Sequence, residues 1–462
     1  MIVMKFGGTS VADAKAMRRV AEIIETRIDQ QPVVVVSAVG GLTNNLVALA
    51  KHAVAGQDQS VSSILEKIRQ RHQTIIQELE LEDYLGLREK LDATMNQLAE
   101  VCSNLKSAGV PAKDLSDELL SVGEYLSSNI LAAHLDRTGL NGVMTDARDM
   151  LVTDSNYSNA LPVFSESEKR AREILVPLVE QGKVPVMQGF IGRDSRGKTT
   201  TLGRGGSDYT ASLVGAMIGG QVVEIWTDVN GVLTADPSMI PEAKRILQMS
   251  FEEAAELAYF GAKVLHPATM LPAVDKGISI HVLNSMHPEQ GGTRIVPSDL
   301  SKKEKCIVKS IAYKEGLTVI SVNSTRMLMA HGFMASIFAI FEKYKTPIDL
   351  VATSEVSVSM TVDNTENLQV ITHELEAFAH VKVATDKAIV CLVGENMKRT
   401  PGIPARVFSL LEDVHIHLIS QGASEINISF VVDEAQLEMV IATLHEHFFG
   451  GDYDTHIFCE NN

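Results

Sequence analysis

The stretch Ile2-Val3-Met4-Lys5-Phe6-Gly7-Gly8-Thr9-Ser10-Val11 joins an apolar run to two glycines and then to the start of an amphipathic pattern. An apolar run of about five residues is typical of a buried strand, and paired glycines permit a tight turn before a helix. Backbone N–H groups at such a turn attract anions, and Lys5 adds an ammonium group at the end of the strand. The GxxxxGK[ST] spacing of a P-loop is absent from this stretch. It therefore predicts either a phosphate-binding turn or a tight turn with no ligand.

The same order of strand and helix recurs through the first 300 residues. We predict strands over 2–6, 33–37, 142–145, 184–188, 222–227 and 278–283, and helices that include 11–28, 42–55 and 207–218. The polar stretch 60–106 predicts extra helices within the same domain. Alternation of this kind predicts an α/β fold, an αβα sandwich on a mostly parallel sheet.

Five further segments place glycine or charged residues where predicted strands end or helices begin. They are SAVGGLTN (37–44), SDELLSVGE (116–124), TLGRGGSDY (201–209), IWTDVNGVL (225–233) and FGAKVLHP (260–267). Open α/β sheets bind ligands beyond the carboxyl ends of their strands, so these loops are candidates for one site. An arginine between glycines, Arg204, can offer a bidentate fork to a carboxylate. Taken singly, Glu118 and Asp208 are equally compatible with solvated or capping carboxylates. His266 has no accompanying Ser or Cys nucleophile motif, and we interpret it as structural.

The last third of the chain contains an internal repeat with an offset of 70 residues. Residues 332–363 align without gaps on residues 402–433, and nine of the 32 positions are identical. Random pairing at ordinary amino-acid usage would give about two. Each copy has a glycine, a helix, a strand, a Ser-Glu turn and a second strand, so we predict two similar α+β units. The polar segment 297–305 predicts a linker before them.

The overall composition excludes some classes of function. The net charge of −17 argues against a non-specific nucleic-acid binder, which needs clustered Lys and Arg. No apolar run reaches the roughly 18 residues of a membrane span, and we expect no signal peptide. Four scattered cysteines suit a reducing compartment. We expect a cytoplasmic protein with no membrane and no nucleic-acid partner.

Taken together, the segments resemble the aspartokinase family. KFGGTSV, SAVGGLTN, DELLSVGE, TTTLGRGGSDYTA, IWTDVNGV and FGAKVLHPATMLPA match its motifs in the family's order, and TSEVSVSMTVD and SQGASEINISFVV match its paired ACT domains. The resemblance covers nearly the whole chain and is greatest to the monofunctional, lysine-sensitive bacterial type. It implies transfer of the γ-phosphate of ATP, with Mg²⁺, to the side-chain carboxylate of L-aspartate. The product, 4-phospho-L-aspartate, is the first intermediate of lysine, threonine and methionine biosynthesis.

The resemblance also implies domains and partners. We expect an amino-acid kinase domain over 1–300, a first ACT domain over 315–385, and a second ACT domain built from 301–314 and 386–462. We expect a homodimer or higher homo-oligomer, because the family binds its effector where ACT domains of two chains meet. L-lysine is the expected inhibitor; threonine, which offers no cation to Asp349, is the alternative. The second repeat has Ile419 at the position of Asp349, so we expect lysine in the first repeat.

Position by position, the resemblance implies four groups of residues. Lys5, Asp208 and Lys263 are catalytic, Asp208 by holding the two lysines. The ATP contacts are Lys5, Phe6, Gly7, Gly8, Thr227, Asp228, Leu233, Ser238, Lys263 and Val264. The aspartate contacts are Thr43, Glu118, Arg204, Gly205, Gly206 and Ser207, with Arg204 on the α-carboxylate and Glu118 toward the α-ammonium. The lysine contacts are Met327, Phe333, Met334, Ile348, Asp349, Ser354 and Glu355.

Three departures from the family pattern affect binding. Leu233 stands where tyrosine is common and Ser238 where arginine is common, which puts the affinity for nucleotide in question. Ala330 replaces a common serine beside the effector. The rival functions are a kinase for glutamate or acetylglutamate, a non-catalytic amino-acid sensor, and an aspartokinase fused to homoserine dehydrogenase, for which a GxGxxG motif is missing. For the ACT pair alone, the alternative is a dimerisation module without a ligand.

Overall fold

The computed structural model describes residues 1–261, 265–298, 307–327, 331–451 and 454–461. The helices are α1 (Ala14–Glu25), α2 (Leu42–Val54), α3 (Asp58–Glu78), α4 (Leu87–Ala108), α5 (Lys113–Arg137), α6 (Phe164–Glu180), α7 (Gly206–Ile218), α8 (Phe251–Tyr259), α9 (Pro267–Asp275), α10 (Phe333–Lys343), α11 (Leu368–Glu376), α12 (Ile403–Phe408) and α13 (Leu437–Phe449). The strands are β1 (Ile2–Phe6), β2 (Pro32–Val36), β3 (Gly142–Thr145), β4 (Val152–Thr153), β5 (Val184–Gln188), β6 (Ile191–Asp194), β7 (Thr199–Thr201), β8 (Val222–Thr227), β9 (Arg245–Ile246), β10 (Gln248–Ser250), β11 (Ser279–Asn284), β12 (Thr293–Val296), β13 (Ile307–Asn323), β14 (Val351–Thr353), β15 (Ser357–Val362), β16 (His380–Glu395), β17 (Leu418–Gln421), β18 (Asn427–Asp433) and β19 (Phe458–Cys459). No described helix has the length and apolar character that crossing a membrane requires.

The chain divides into two compact units. The first contains 1–232, 248–251 and 264–297, and the second contains 233–247, 252–263 and 298–462. The segments 233–247 and 252–263 lie inside the range predicted for the kinase domain, yet their contacts group them with the second unit.

The first unit is built on an eight-stranded sheet in the order β10-β12-β11-β8-β1-β2-β5-β3. Six of its strands, β11, β8, β1, β2, β5 and β3, run parallel. Strand β12 is antiparallel to β11, and β10 runs parallel to β12 and so against the other six. Strand β1 lies at the centre, with Lys5 opposite Val35 of β2 and Ile225 of β8. All residues of β1 and β2 are buried, as expected for apolar strands covered on both faces. The predicted α/β class is confirmed.

The predicted elements are present with small differences at their ends. Strand β2 covers Pro32–Val36 and β11 covers Ser279–Asn284, each one residue from the predicted range. Helix α1 begins at Ala14 and not at residue 11, because the side chain of Asp13 caps it by accepting a 2.8 Å hydrogen bond from the N–H of Ala16. The stretch 60–106 forms α3 and α4, which pack with α2 and α5 within the first unit.

The second unit contains a six-stranded antiparallel sheet in the order β14-β15-β13-β16-β18-β17. The internal repeat is visible in it: Gly332 and Gly402, with φ of 84° and 86°, precede the matching helices α10 and α12. Strands β14 and β15 in one copy correspond to β17 and β18 in the other. Left-handed backbone of this kind favours glycine, which accounts for the identity at this position.

The two longest strands of this sheet, β13 and β16, each serve both copies. The first half of β13, up to Lys314, pairs with the end of β16, which in turn pairs with β18. The second half of β13, from Leu317, pairs with the beginning of β16 and with β15. The register shifts between the two halves, beside Gly316.

Helix α8 is joined to this sheet by buried polar contacts. The ammonium of Lys309, on β13, lies 2.9 Å from Glu253 and also pairs with Glu395. The side-chain amide of Asn427 donates a 2.7 Å hydrogen bond to Glu256. These contacts hold a helix from the range predicted for the kinase domain against the repeat.

Candidate active site

An ion pair that is largely buried lies at the end of the central strand β1. The ammonium of Lys5 lies 2.7 Å from Asp208 Oδ1, and the two side chains are only 10% and 17% exposed. Asp208 lies in the first turn of α7, which packs against β1. Taking a lysine charge out of water is costly unless it is paired, and Asp208 offsets that cost. An ammonium has three donors, so Lys5 can still bind a second anion.

Two glycine turns meet beside this pair. The N–H of Gly40 donates a 2.9 Å hydrogen bond to the carbonyl of Gly8. A Cβ on Gly8 would lie 2.8 Å from the carbonyl oxygen of Ala38, and a Cβ on Gly40 would lie 3.0 Å from that of Gly8. Only glycine allows backbones to approach so closely. The second turn leads into α2, where Thr43 is exposed in the first turn.

The carboxyl end of β8 lies next to that of β1. Ser285, which follows β11, donates hydrogen bonds from its N–H and its hydroxyl to the carbonyl of Thr227, at 2.8 and 3.0 Å. The hydroxyl of Ser285 also lies 2.8 Å from that of Ser10, and both serines are fully buried. This fixes Thr227 and the exposed Asp228 near the glycine turns. Sequence reasoning assigned no role to Ser10 or Ser285, although a serine at the end of a parallel strand is a usable signal.

The loop between β7 and α7 presents Arg204. Gly203 and Gly205 have φ of 79° and 69°, and a Cβ on Gly205 would lie 2.8 Å from Thr269 Cγ2. The arginine is exposed and forms no ion pair with any residue that the structure describes. Its guanidinium therefore remains available for an anion.

Helix α5 brings two neighbouring acidic residues to this region. Glu118 is half-buried and accepts a 2.9 Å hydrogen bond from the side chain of Gln97. Asp117 is fully buried and accepts hydrogen bonds from the N–H groups of Ser158 and Thr201, at 2.9 and 2.8 Å. It accepts two more from their hydroxyls, at 3.2 and 2.9 Å. Burial raises the pKa of Asp117, while these hydrogen bonds act in the opposite direction.

Farther along α5, Glu124 is buried beside the second glycine turn. Burial raises the pKa of its carboxyl group to about 8, although it accepts a hydrogen bond from the N–H of Ala38. The hydroxyl of Ser127 donates a 2.8 Å hydrogen bond to the carbonyl of Ser37. A Cβ on Gly123 would lie 2.6 Å from that of Ala38, so α5 packs tightly on this loop.

The remaining predicted nucleotide contacts are distributed differently. Leu233 and Ser238 belong to the second unit. The carbonyl of Leu233 accepts a 2.8 Å hydrogen bond from Ser310, and Ser238 bonds to Asp236 through its N–H and its hydroxyl, at 2.9 and 2.6 Å. Lys263 and Val264 lie outside the described residues, so their roles stay predictions.

The predicted effector residues lie in the first copy of the repeat. Met327, Phe333, Met334 and Ile348 pack against its apolar core. The side chain of Asp349 is 6% exposed and lies 2.7 Å from the ammonium of Lys314, which also lies 2.8 Å from Asp363. Ser354 and Glu355 are exposed. An amine of the chain itself thus occupies the place at Asp349 that we predicted for the effector, and Ala330 is outside the described residues.

Comparison with known proteins gives a consistent result. Residues 1–284 match the amino acid kinase family and residues 390–448 match an ACT domain. The lysine-sensitive aspartokinase 3 of Escherichia coli (strain K12) is 37% identical over 97% of this chain and 99% of its own length. The crystal structure of E. coli aspartokinase III with aspartate and ADP (R-state) superposes with a TM-score of 0.82 at 37% identity, covering 97% of this chain and 100% of the other. Its complex with lysine and aspartate (T-state) gives 0.81 at 36% identity, covering 97% and 99%.

Proposed function

We propose that Lys5, Asp208 and Arg204 carry the reaction of the family to which this chain belongs. It is an amino acid kinase and, within that family, an aspartokinase, an enzyme that phosphorylates the side-chain carboxyl group of aspartate. The pairing of Lys5 with Asp208 at the end of the central strand is the observation that supports the assignment most. We further propose that the product, 4-phospho-L-aspartate, feeds lysine, threonine and methionine biosynthesis in the cytoplasm.

The chemistry requires charge neutralisation more than proton transfer. The nucleophile is a side-chain carboxylate with an ordinary pKa of about 3.9, so it is ionised at neutral pH and needs no general base. The barrier lies in bringing an anion to the γ-phosphate of ATP. Lys5, oriented by Asp208, supplies a positive charge there, and the Gly7-Gly8 turn borders the phosphates. The N–H of Gly7 itself donates a 3.1 Å hydrogen bond to the carbonyl of Trp226. Thr227 and Asp228, held by Ser285, complete the nucleotide contacts of the first unit.

Aspartate is held by groups of opposite charge. The exposed guanidinium of Arg204 binds the α-carboxylate with two hydrogen bonds, and Glu118 attracts the α-ammonium. Thr43 and the first turn of α7, with Gly205, Gly206 and Ser207, border the same space. This arrangement orients the side-chain carboxylate toward the phosphate, and positioning of this kind is a large part of such catalysis.

Mg²⁺ would neutralise charge on the ATP phosphates. Among the residues that the structure describes, no group of three His, Cys, Asp or Glu side chains converges as it would around a metal ion. The donors that fit best are the phosphate oxygens themselves, so we propose that the ion binds mainly through the nucleotide and water.

We propose that L-lysine inhibits the enzyme by binding at the first repeat. The names of the E. coli relative and of its lysine complex support this. Asp349 suits an ammonium group, and Lys314 already shows that an amine fits there. Lysine would have to compete with Lys314 for that carboxylate. Inhibition also requires that lysine bind a less active arrangement more tightly than the active one.

We propose that the active form is at least a dimer. In the part of the chain that the structure describes, the edge strands β14 and β17 of the regulatory sheet each pair with one neighbouring strand, and they expose Val351 and Ile419. The two edges also approach each other within the chain. A second copy on such an edge would cover both side chains.

An ADP-release assay with L-aspartate, L-glutamate and N-acetylglutamate tests the reaction. We expect turnover with aspartate only; turnover with another acceptor, or none, would favour the rival kinase or the sensor. For the site, Arg204→Ala should raise the aspartate KM at least about tenfold and leave the ATP KM nearly unchanged. The reason is that the guanidinium group removed by this substitution contacts aspartate and not ATP. Arg204→Lys keeps the charge without the fork and should fall between. A rise in the ATP KM instead would move Arg204 to the nucleotide site.

A further inference from the structure

We propose that Asp117 is a positioning residue for aspartate: its carboxylate ties the helix that carries Glu118 to the loop that carries Arg204. This inference rests on the roles proposed for Glu118 and Arg204. It concerns a residue to which sequence reasoning gave no part, although it is adjacent to Glu118.

The geometry around Asp117 joins three elements at one point. It lies on α5, while its four donors come from Thr201, the last residue of β7, and from Ser158, in the loop after β4. Thr201 is three residues before Arg204. Between them, the N–H of Leu202 donates a 2.9 Å hydrogen bond to the carbonyl of Phe190. The start of the arginine loop is thus fixed on both sides.

The donor set suits a carboxylate. Oδ2 accepts from two backbone N–H groups and Oδ1 from two hydroxyls. An asparagine could keep its oxygen toward the two N–H groups, but its NH₂ group would then donate to the two hydroxyls, so both hydroxyl hydrogen bonds would reverse and the negative charge would be lost. An ordinary buried polar group needs fewer partners, and four donors from two separate segments indicate that the spacing between α5 and the arginine loop is what Asp117 holds.

The consequence is specific to one substrate. Glu118 and Arg204 bind opposite charges of the same small molecule. A shift of either residue relative to the other therefore weakens the binding of aspartate and leaves the binding of ATP unchanged. A displacement of about 1 Å can reduce catalysis by about a hundredfold. Lys5, on the central strand β1, is not part of this link.

The test compares Asp117→Asn with a matched control, Asp194→Asn. Asp194 is also buried and accepts from the N–H groups of Arg196 and Lys198, both at 2.9 Å, and from Ser155 and Tyr157, at 2.9 and 3.0 Å. It holds the turn between β6 and β7 and has no hydrogen bond to α5. Both variants lose the negative charge of a buried carboxylate that accepts from two backbone N–H groups, and that of Asp194 also lies 3.2 Å from the guanidinium of Arg196. Only Asp117 joins the aspartate-binding segments.

We expect Asp117→Asn to raise the aspartate KM by about tenfold or more, with the ATP KM changed less than about threefold. Asp194→Asn should lower the Tm and leave the aspartate KM near that of the wild type. Equal effects of both variants on the aspartate KM, or a fall in Tm alone for Asp117→Asn, would overturn the inference. If Asp117→Asn does not fold, Thr201→Val removes one hydroxyl donor and should raise the aspartate KM alone, by a few-fold. An Arg204→Ala variant with normal aspartate KM would refute the proposed site; a normal Asp117→Asn beside an impaired Arg204→Ala refutes only this inference.

Discussion

Replacing Glu124 by glutamine should change how the stability of the first unit depends on pH. The carboxyl group has an ordinary pKa of 4.5, which burial raises to about 8 in the folded chain. Between these two values the unfolded chain loses the proton and the folded chain keeps it. The contribution of Glu124 to the stability of the folded state is therefore fully present below about pH 4.5 and is lost as the pH rises toward 8.

The size of the effect follows from the difference between the two pKa values. One pKa unit corresponds to about 1.4 kcal/mol, so the loss between pH 4.5 and 8 is at most about 5 kcal/mol. Glutamine has nearly the same shape, keeps an oxygen for the N–H of Ala38 and does not ionise. The Glu124→Gln variant should therefore lack this loss and should be the more stable protein at pH 8.

Tryptophan fluorescence provides the assay. The chain has one tryptophan, Trp226, which is buried in β8, so its emission reports unfolding of the first unit. Urea unfolding from pH 5.5 to 8.5 should show a gap between variant and wild type that widens with pH. Glu100→Gln is the control, because Glu100 is an exposed residue of α4 with no burial to relieve. A gap that stays constant across this range would refute the reasoning.

Three further predictions concern catalysis, regulation and assembly. Lys5→Met should reduce kcat by about a hundredfold or more, because it removes a charge held against the phosphates, and it should lower the Tm, because Asp208 loses its partner. A variant with a third of the wild-type kcat would exclude Lys5 from the mechanism. Asp349→Ala should raise the lysine concentration for half inhibition about tenfold, because the side-chain ammonium of the bound lysine loses its partner. Activity in the absence of lysine should be unchanged. Unchanged lysine sensitivity, or inhibition by threonine alone, would contradict that assignment. Light scattering should give at least twice the 50.2 kDa of the chain, and a value near 50.2 kDa at micromolar concentration, with and without lysine, would refute the dimer.

Much of the fold could be predicted because its signals are local. Strand β2 is entirely apolar and strand β1 is apolar apart from Lys5, a pattern that burial on both faces explains. The glycines at 8 and 40 marked turns whose reason became clear only from the close backbone contact between them. The internal repeat predicts two similar units from the sequence alone.

The contacts that the sequence did not predict all join residues far apart in the chain. Asp117 meets Thr201 across 84 residues, and Ser10 meets Ser285 across 275. The pairing of Lys314 with Asp349 was missed because our reasoning considered only the ligand as the source of an ammonium. Nor does local pattern show that the segments 233–247 and 252–263 group with the second unit. Periodicity describes which face of an element is buried, but not which distant element covers it.

The shared strands β13 and β16 make the two regulatory copies inseparable in a way that tandem domains are not. Each copy completes its sheet with half of a strand whose other half belongs to its twin. A cut between the copies would leave both with an open sheet edge, so neither is a transferable module. A substitution in β13 or β16 therefore alters a strand that both copies use. The two copies can differ in the ligand that they recognise, as the residues Asp349 and Ile419 at the same position of the repeat indicate, but they share the strands β13 and β16.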